Sequence, residues 1–249
     1  MKKIKFGLQK NFPQRIGLVI DPPTPSSKHI PEWHRDGEKS LNENGWANIA
    51  NGEKALASMK SCNPFLDAIS SGYMLTTWAD VEIIENHNNK LRFKYLEKNK
   101  NGEYVDSAVD YEMIEIREGD AGYTIPRPAG YAYKHLVWRG KWGVETPKGW
   151  SVLVSHPMNQ FQLPFMTTSG IIDSDRFMGN GNIPFFIKKD WTGVIPKGTP
   201  IAQLVPIKRS SWMSISEELS DYADYLGKAA RIEEPGFYRS KLWVPKKYK

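Results

Sequence analysis

The chain of 249 residues has almost no cysteine and no long apolar run. Cys62 is its only cysteine, so no disulfide can form within the chain and a zinc site built on several thiolates is excluded. No stretch approaches the roughly 18 apolar residues that a membrane-spanning helix needs, and the first residues lack the apolar core of a signal peptide. We therefore expect a protein of a reducing cytoplasm that does not bind membranes.

The sequence also lacks the common motifs of nucleotide-binding and hydrolytic enzymes. It has no Gly-rich phosphate loop ending in Gly-Lys-Ser/Thr, no Gly-x-Gly-x-x-Gly element and no Gly-x-Ser-x-Gly turn. His29 and His34 stand near acidic residues, but Pro31 between them opposes a helix that would align two metal ligands. We predict no metal site, and we interpret Cys62 as structural because no base can be assigned to it.

The net charge of +6 is concentrated at the two ends of the chain. Residues 1–15 hold five cations and no acid, and residues 228–249 hold seven cations against two acids, so the residues between them carry a net charge of −4. Basic termini are commonly solvated segments. Nucleic-acid binding through these tails is therefore the less favoured interpretation.

Aromatic and turn-forming residues are abundant, with nine Trp, eleven Tyr, ten Phe, 17 Pro and 20 Gly. Leu91, Phe93 and Tyr95 alternate with basic residues, which is the period of a half-buried strand. Similar short segments recur between turn residues and indicate a mainly β protein with a sandwich-like or barrel-like body, in which Trp138, Trp142 and Trp150 are core residues. The predicted strands are 73–84, 91–96, 113–117, 135–139, 150–155, 182–188 and 199–206.

Two helices are predicted beside the strands. The first lies near 63–71, where Pro64 suits a first helical position and Gly72 a stop. The second covers 214–230 with a serine cap and is followed by an extended arm rich in Lys and aromatic residues. The predicted parts are an irregular N-terminal segment over 1–60, packed through Trp33 and Trp46, a β body over 61–212, and the helix and arm over 213–249.

A stretch of the β body carries a family resemblance. Residues 170–173 read Gly-Ile-Ile-Asp, and residues 197–204 read Lys-Gly-Thr-Pro-Ile-Ala-Gln-Leu after a Gly/Asn turn. These segments resemble the third motif and the closing strand of the dUTPase and dCTP deaminase superfamily, and the similarity extends over about 135–212. The whole chain also resembles a family of tailed-phage proteins through Pro-Phe-Leu-Asp-Ala and Ser-Gly-Tyr at 64–73. The resemblance implies a β-clip barrel, commonly a trimer with nucleotide sites between subunits that a mobile C-terminal arm closes.

The departures from the family bear on catalysis. Arg176 and Phe177 stand where the family has its Tyr, and Pro-Met-Asn-Gln at 157–160 replaces the Pro-Arg-Ser-Gly that holds phosphates. The Gly-rich arm that wraps a triphosphate is missing, and 235–240 is at best a distant analogue. The resemblance therefore implies a nucleotide-binding scaffold that has lost most of its phosphate-handling residues, and hydrolysis is the less favoured expectation.

The candidate site residues follow from the resemblance. Asp173 corresponds to the Asp that orients a water or the sugar hydroxyl; its alternative role is to cap the hairpin turn with Ser174. Arg176 is a candidate for nucleotide contact or for a surface ion pair with Asp173 or Asp175. The Gly/Asn turn at 178–182 either presents N–H groups to an anion or makes an ordinary hairpin loop. The residues expected to bind the ligand are Asp173, Arg176, Phe177, Asn159, Gln160, Phe237 and Arg239.

Three functions fit these features. The first is a phage-type, non-catalytic protein that binds a nucleotide by stacking and cation–π contacts and sequesters a nucleotide-derived signal of host defence in the host cytoplasm. The second is a diverged nucleotide pyrophosphatase or deaminase using Asp173, which would need Mg²⁺ only if it hydrolyses nucleotides. The third is a virion-associated structural protein. The expected partners are a nucleotide and further copies of the chain, with a trimer favoured.

Overall fold

The computed structural model describes residues 2–38, 58–87, 90–117, 119–230 and 236–249. The chain forms two compact units, each built from segments that are distant in the sequence. The first unit comprises Met1–Ser26 and Gly72–Arg209, and the second comprises Ser27–Ser71 and Ser210–Lys249. The division into three parts along the sequence remains a prediction. Trp46 lies outside the described residues.

The first unit is mainly β, as predicted, and its described strands pair antiparallel throughout. Its strands are β1 (Lys5–Leu8), β2 (Thr24–Pro25), β3 (Tyr73–Thr76), β4 (Asp80–His87), β5 (Lys90–Lys98), β6 (Tyr104–Asp106), β7 (Ile114–Ile116), β8 (Leu136–Arg139), β9 (Trp142–Glu145), β10 (Trp150–Ser155), β11 (Phe165–Thr167), β12 (Gly170–Ile172), β13 (Asn182–Ile187), β14 (Gly193–Ile195) and β15 (Pro200–Lys208). The sheets have the orders β1-β9, β12-β10-β15-β3-β2, β11-β13-β8-β7 and β14-β4-β5-β6.

The core of the first unit is aromatic. Trp138 is 1% exposed and stacks on Phe185, with ring centroids 3.8 Å apart and planes at 8°. Phe165 packs edge-on against both rings, and such offset and edge-to-face pairs add to the energy of burial alone. The prediction that Trp138 is a core residue is confirmed, while Trp142 and Trp150 are half-buried.

The strand prediction for 73–84 is wrong in one respect, because β3 and β4 belong to different sheets. The chain leaves the first sheet at Thr77, whose hydroxyl donates to the Pro196 carbonyl over 2.7 Å. Trp78 then enters the core and donates its indole N–H to the Tyr111 carbonyl over 2.9 Å. In a continuous strand, the Trp78 side chain would point to one face of the five-stranded sheet and would not form the bond to Tyr111.

The N-terminal segment contains short regular elements where an irregular chain is predicted. β1 pairs with β9, and helix α1 (Phe12–Ile16) buries Phe12 and Ile16 in the core of the first unit. Pro13 in the first turn of α1 costs no hydrogen bond there. These elements are too short to leave a periodic signal in the sequence.

The second unit contains the helices α2 (Glu32–Arg35), α3 (Asn63–Ser70) and α4 (Asp221–Lys228), and a π-helical turn at Tyr238–Leu242. The helix predicted near 63–71 is confirmed by α3. Trp33 packs edge-on against Phe65 in this unit, with centroids 5.8 Å apart. Asp67 accepts hydrogen bonds from Trp243 Nε1 (2.9 Å) and Lys246 Nζ (2.5 Å), which fastens the C-terminal residues to α3.

The predicted helix over 214–230 is too long. Residues 210–220 have no regular structure, and α4 begins only after Ser220, whose hydroxyl accepts from the Ala223 N–H over 3.2 Å. The apolar side chains of residues 210–220 are exposed, so a longer helix would gain no stabilisation from tertiary packing. In the described parts of the chain, no helix is long and apolar enough to cross a bilayer.

Candidate functional site

The loop at 173–181 connects two different sheets. It leaves β12 at the edge of the five-stranded sheet and enters β13 in the sheet β11-β13-β8-β7. The Asp173 carbonyl accepts from the backbone N–H groups of Arg176 and Phe177, each over 2.9 Å, and this closes the first turn. The loop is therefore fixed at its start by its own backbone.

Arg209 holds the two carboxylates at the start of the loop. Its guanidinium contacts Asp175 with both terminal nitrogens, Nη1 lying 2.7 Å from Oδ1 and Nη2 bonding Oδ2. The Gly149 N–H adds a bond of 2.8 Å to Asp175 Oδ2. The Asp175 side chain is only 4% exposed, so this bidentate pair compensates a charge that is largely removed from water.

Asp173 is held more loosely by the same cation. Its Oδ1 accepts from Ser151 Oγ (2.7 Å) and from Arg209 Nη1 (3.1 Å). Its side chain is 56% exposed. Asp173 and Asp175 therefore both pair with Arg209. The surface ion pair considered for Arg176 with these residues is not formed. Arg176 itself is exposed.

These contacts determine the protonation of both carboxyl groups. The bonds from Arg209 and the Gly149 N–H lower the pKa of Asp175 to about 2. The bond from Ser151, assisted by Arg209, lowers the pKa of Asp173, and the carboxylates in turn raise the pKa of Arg209. Both carboxylates are ionised at neutral pH, and neither is poised to act as a general acid.

The loss of folding stability at acid pH is expected to depend on the contact between Asp175 and Arg209. Because the pKa of Asp175 is lower in the folded chain than its ordinary value of 3.8, its contribution is present above about pH 4 and is lost as the pH falls towards about 2. The free energy of unfolding in urea should be measured at pH values between 5 and 2, about one pH unit apart. It should fall more steeply with falling pH for the natural chain than for Asp175→Asn. Equal slopes would contradict the assignment.

A pair of buried hydroxyl groups also fixes the start of the loop at 173–181. Ser174 is fully buried, and its Oγ lies 2.8 Å from Thr146 Oγ1. The Thr146 N–H donates to the Ser174 carbonyl over 3.2 Å, and Thr146 Oγ1 donates to the Trp150 carbonyl over 3.0 Å. The turn at 146–150 thus supports the start of the loop.

The C-terminal end of the loop at 173–181 is held by contacts with Gly140. The Gly140 N–H donates to the Gly181 carbonyl over 3.1 Å, and Asn180 Nδ2 donates to the Gly140 carbonyl over 2.7 Å. A Cβ at Gly140 would lie 2.2 Å from the Gly181 oxygen. Between the two anchored ends, Phe177 and Met178 are about half exposed.

We expect Gly140→Ala to detach the far end of the loop, because the clashing atom is backbone and has no rotamer to change. The melting temperature should fall by several degrees in a thermal shift assay. Gly181→Ala is the matched control, since a Cβ there meets nothing within 4 Å. A melting temperature of Gly140→Ala equal to that of the control would contradict this account.

A narrow cleft of the first unit borders this end of the loop. Gly140 lines it, together with the rings of Trp78 and Trp142 and the side chain of Arg139. The buried indole N–H of Trp142 has no hydrogen-bond partner among the described residues. The water-accessible volume of this cleft is about 10 Å³, which holds no more than about one water molecule, so the cleft is too small for a nucleobase.

The turn predicted to replace the phosphate motif lies at the other end of β10. The cluster of Ser151 and Arg209 is at the start of this strand and the turn at 157–160 follows its end, a separation of about 17 Å along six residues. Asn159 is in the left-handed region (φ 60°), and Gln160 is 3% exposed. The structure therefore does not place this turn beside Asp173 within one chain.

A neutral histidine supports the same turn. His156 Nδ1 accepts from the Thr167 N–H (3.3 Å), and its Nε2 lies 3.4 Å from the Gln160 carbonyl, so a ring protonated on Nε2 satisfies both groups. Burial lowers the pKa of His156. The Met158 N–H donates to Gln203 Oε1 over 2.9 Å.

The predicted arm residues belong to the second unit. Phe237 is 9% exposed and packs edge-on against Tyr225, with centroids 6.4 Å apart. Arg239 is exposed in the π-helical turn. Pro235 lies outside the described residues, and the expectation that this arm closes a site remains a prediction.

Arg209 is the residue that the sequence interpretation missed. The signal was a cation at the end of the strand that pairs with β10, close to the turn at 147–149. Within the described ranges, no group of three or more His, Cys, Asp or Glu side chains is arranged to hold a metal ion.

Comparison with known proteins finds similarity among solved structures only. No protein-family model matches the chain, and no curated protein matches it. Among solved structures, the dUTPase from phage phi11 of S. aureus aligns at 14% identity over 43% of this chain and 97% of its own, with a TM-score of 0.25. A mutant dUTPase of Staphylococcus bacteriophage 80alpha, solved with dUpNHpp, aligns at 14% identity over 43% of this chain and 89% of its own, with a TM-score of 0.23. At this similarity the alignments carry no conclusion about function.

Proposed function

We propose that this chain is a phage-type protein that binds a nucleotide without hydrolysing it. The observation that carries the proposal is the environment of Asp173, the one candidate for orienting an attacking water. Its Oδ1 accepts from Ser151 and Arg209. A carboxylate neutralised by a guanidinium is a weak base and polarises water poorly.

The ligand is proposed from the motif and from the exposed loop that follows it. The sequence at 170–204 resembles that of nucleotide-binding proteins, and the loop at 173–181 exposes the ring of Phe177 next to Arg176. An exposed ring and a guanidinium suit a base and its phosphates. Sequestration of a nucleotide-derived signal of host defence is the biological role that we propose for such binding.

We further propose that the protein works as a homo-oligomer, with a trimer favoured. The loop at 173–181 and the turn at 157–160 lie about 17 Å apart along β10, so one ligand that contacts both requires a second copy of the chain. The exposed apolar residues after Arg209 are the proposed contacts between copies.

Thermal shift with a nucleotide panel tests the proposal. Mono-, di-, tri-, cyclic and dinucleotides are tested, and a bound nucleotide should stabilise the protein by a few kcal/mol at saturation. Phe177→Ala removes the exposed ring of the loop at 173–181 and should weaken binding about tenfold. Tyr104→Ala, at an exposed ring on β6, is the control. No shift with any nucleotide would reject binding.

Catalysis is tested separately on the same samples. Chromatography of dUTP, dCTP and dTTP after long incubation with Mg²⁺ should recover each nucleotide unchanged. Turnover that Asp173→Asn abolishes would reject the non-catalytic proposal and favour a diverged pyrophosphatase or deaminase.

A further inference from the structure

An exposed surface of the first unit, between β7 and β8, combines aromatic rings with cations. Tyr123 is 45% and Tyr133 is 55% exposed, and their ring centroids are 6.5 Å apart at 64°. The Arg127 guanidinium lies 4.3 Å from the centroid of Tyr133, and Lys134 Nζ lies 5.8 Å from that of Tyr123. We name these four residues the Tyr–Arg surface.

The backbone holds the Tyr–Arg surface in place. The Ala132 N–H donates to the Ile187 carbonyl (2.8 Å), and the His135 N–H donates to the Gly122 carbonyl (3.0 Å). The stem of Lys134 lies directly on Gly122, where a Cβ would meet Lys134 Cε at 2.3 Å. The rings and cations are thus set by main-chain bonds to β13 and by close packing, which lowers the entropy cost of binding.

The charge of this surface is available to a ligand. Within the described parts of the chain, Arg127 and Lys134 contact tyrosine rings and form no ion pair with a carboxylate. The backbone of Lys188 and Lys189 lies beside this surface, since Tyr131 bridges Lys188 and the Lys189 N–H donates to the Gly130 carbonyl. Lys188 Nζ donates to the Phe161 carbonyl over 3.3 Å, and Lys189 Nζ lies 3.9 Å from Asp190. Asp120, in the short helix that contains Tyr123, is an exposed acid.

We propose that the Tyr–Arg surface binds single-stranded nucleic acid. Exposed rings stack on unpaired bases, and the cations contact the phosphates between them. In a duplex the base faces are stacked on one another and cannot contact the tyrosine rings. An acidic peptide would pair with the cations but would not stack on the two exposed rings. A mononucleotide needs an enclosing pocket, whereas a strand adds several weak contacts along an open surface. This inference does not depend on the nucleotide site proposed at 173–181.

Fluorescence anisotropy of the full chain with labelled oligo(dT) of twenty nucleotides tests the proposal. Tyr123→Ala/Tyr133→Ala should weaken binding by about tenfold or more, and Tyr123→Phe/Tyr133→Phe should restore it. Arg127→Gln/Lys134→Gln removes two phosphate contacts, and it should also weaken binding and reduce the slope of log affinity against log salt concentration by about 1.4. The matched control is Tyr104→Ala, an exposed tyrosine on β6 with Lys98 Nζ 5.2 Å from its ring.

Three results would overturn the proposal. They are an absence of oligo(dT) binding at low salt, equal binding of a duplex of the same length, and a loss with Tyr104→Ala as large as that with Tyr123→Ala/Tyr133→Ala. A loss shared by the Phe variant would show that stacking is not the cause. Loss of nucleotide stabilisation in Phe177→Ala with unchanged oligo(dT) binding would show that the two sites are distinct.

Discussion

Replacement of Arg209 by Gln is expected to lower the melting temperature by several degrees and to abolish stabilisation by nucleotide. Arg209 is the shared partner of Asp173 and Asp175, and it also donates to the Trp150 carbonyl over 3.2 Å. Without it, the buried Asp175 charge loses its bidentate partner and the start of the loop at 173–181 is released. Differential scanning fluorimetry with and without nucleotide measures both effects.

Two companion variants separate charge from loss of shape. Lys208→Gln is the matched control, because Lys208 is an exposed cation at the end of β15, directly before Arg209, and it should behave as the natural chain. Asp175→Asn combined with Arg209→Gln removes the unpaired buried charge and should regain part of the lost stability. A natural melting temperature for Arg209→Gln alone would refute the role of this cation.

Replacement of Trp212, Met213 and Ile215 by Ser is expected to convert the proposed oligomer to monomers. These side chains are 91%, 84% and 72% exposed, and Leu219 and Tyr222 beyond them are 77% and 69% exposed. Five large apolar side chains offer on the order of 600–800 Å² of surface, close to the roughly 800 Å² that each partner buries in a stable interface. We propose that a second copy of this chain covers them.

The expected change in affinity is large. Burial of each side chain is worth about 2 kcal/mol, so three substitutions weaken association by about 10⁴-fold. Light scattering after size exclusion should show a monomer for the triple variant. Val19→Ser/Val244→Ser, which changes two residues that are 79% and 70% exposed elsewhere, is the control. A natural chain that is itself monomeric, or a triple variant that stays assembled, would contradict the proposal.

Local sequence patterns predicted the longer strands well. The strand at 150–155 is mostly apolar and bounded by turn residues, and β10 has these bounds. The helix at 63–70 was predictable from Pro64 and its short apolar face. In each case the signal lies within one turn or one strand, where propensity and periodicity act.

The failures involve contacts between distant residues. Thr77 interrupts the segment at 73–84 because it bonds the turn at 196–199, more than a hundred residues away. The helix predicted from Ser214 begins after Ser220, because the apolar side chains before it have nothing to pack against in the described chain. Neither outcome leaves a local signal in the sequence.

The scarcity of cysteine and the alternating apolar residues determined by themselves a mainly β protein without a disulfide framework. They also marked Asp173, through its motif, as the residue to examine. Only the tertiary structure decided what Asp173 contacts, because Arg209 reaches it through the pairing of β10 with β15. Strand pairing joins residues by register across the sheet, so the partner of a charge is fixed by the fold and not by its neighbours in the sequence.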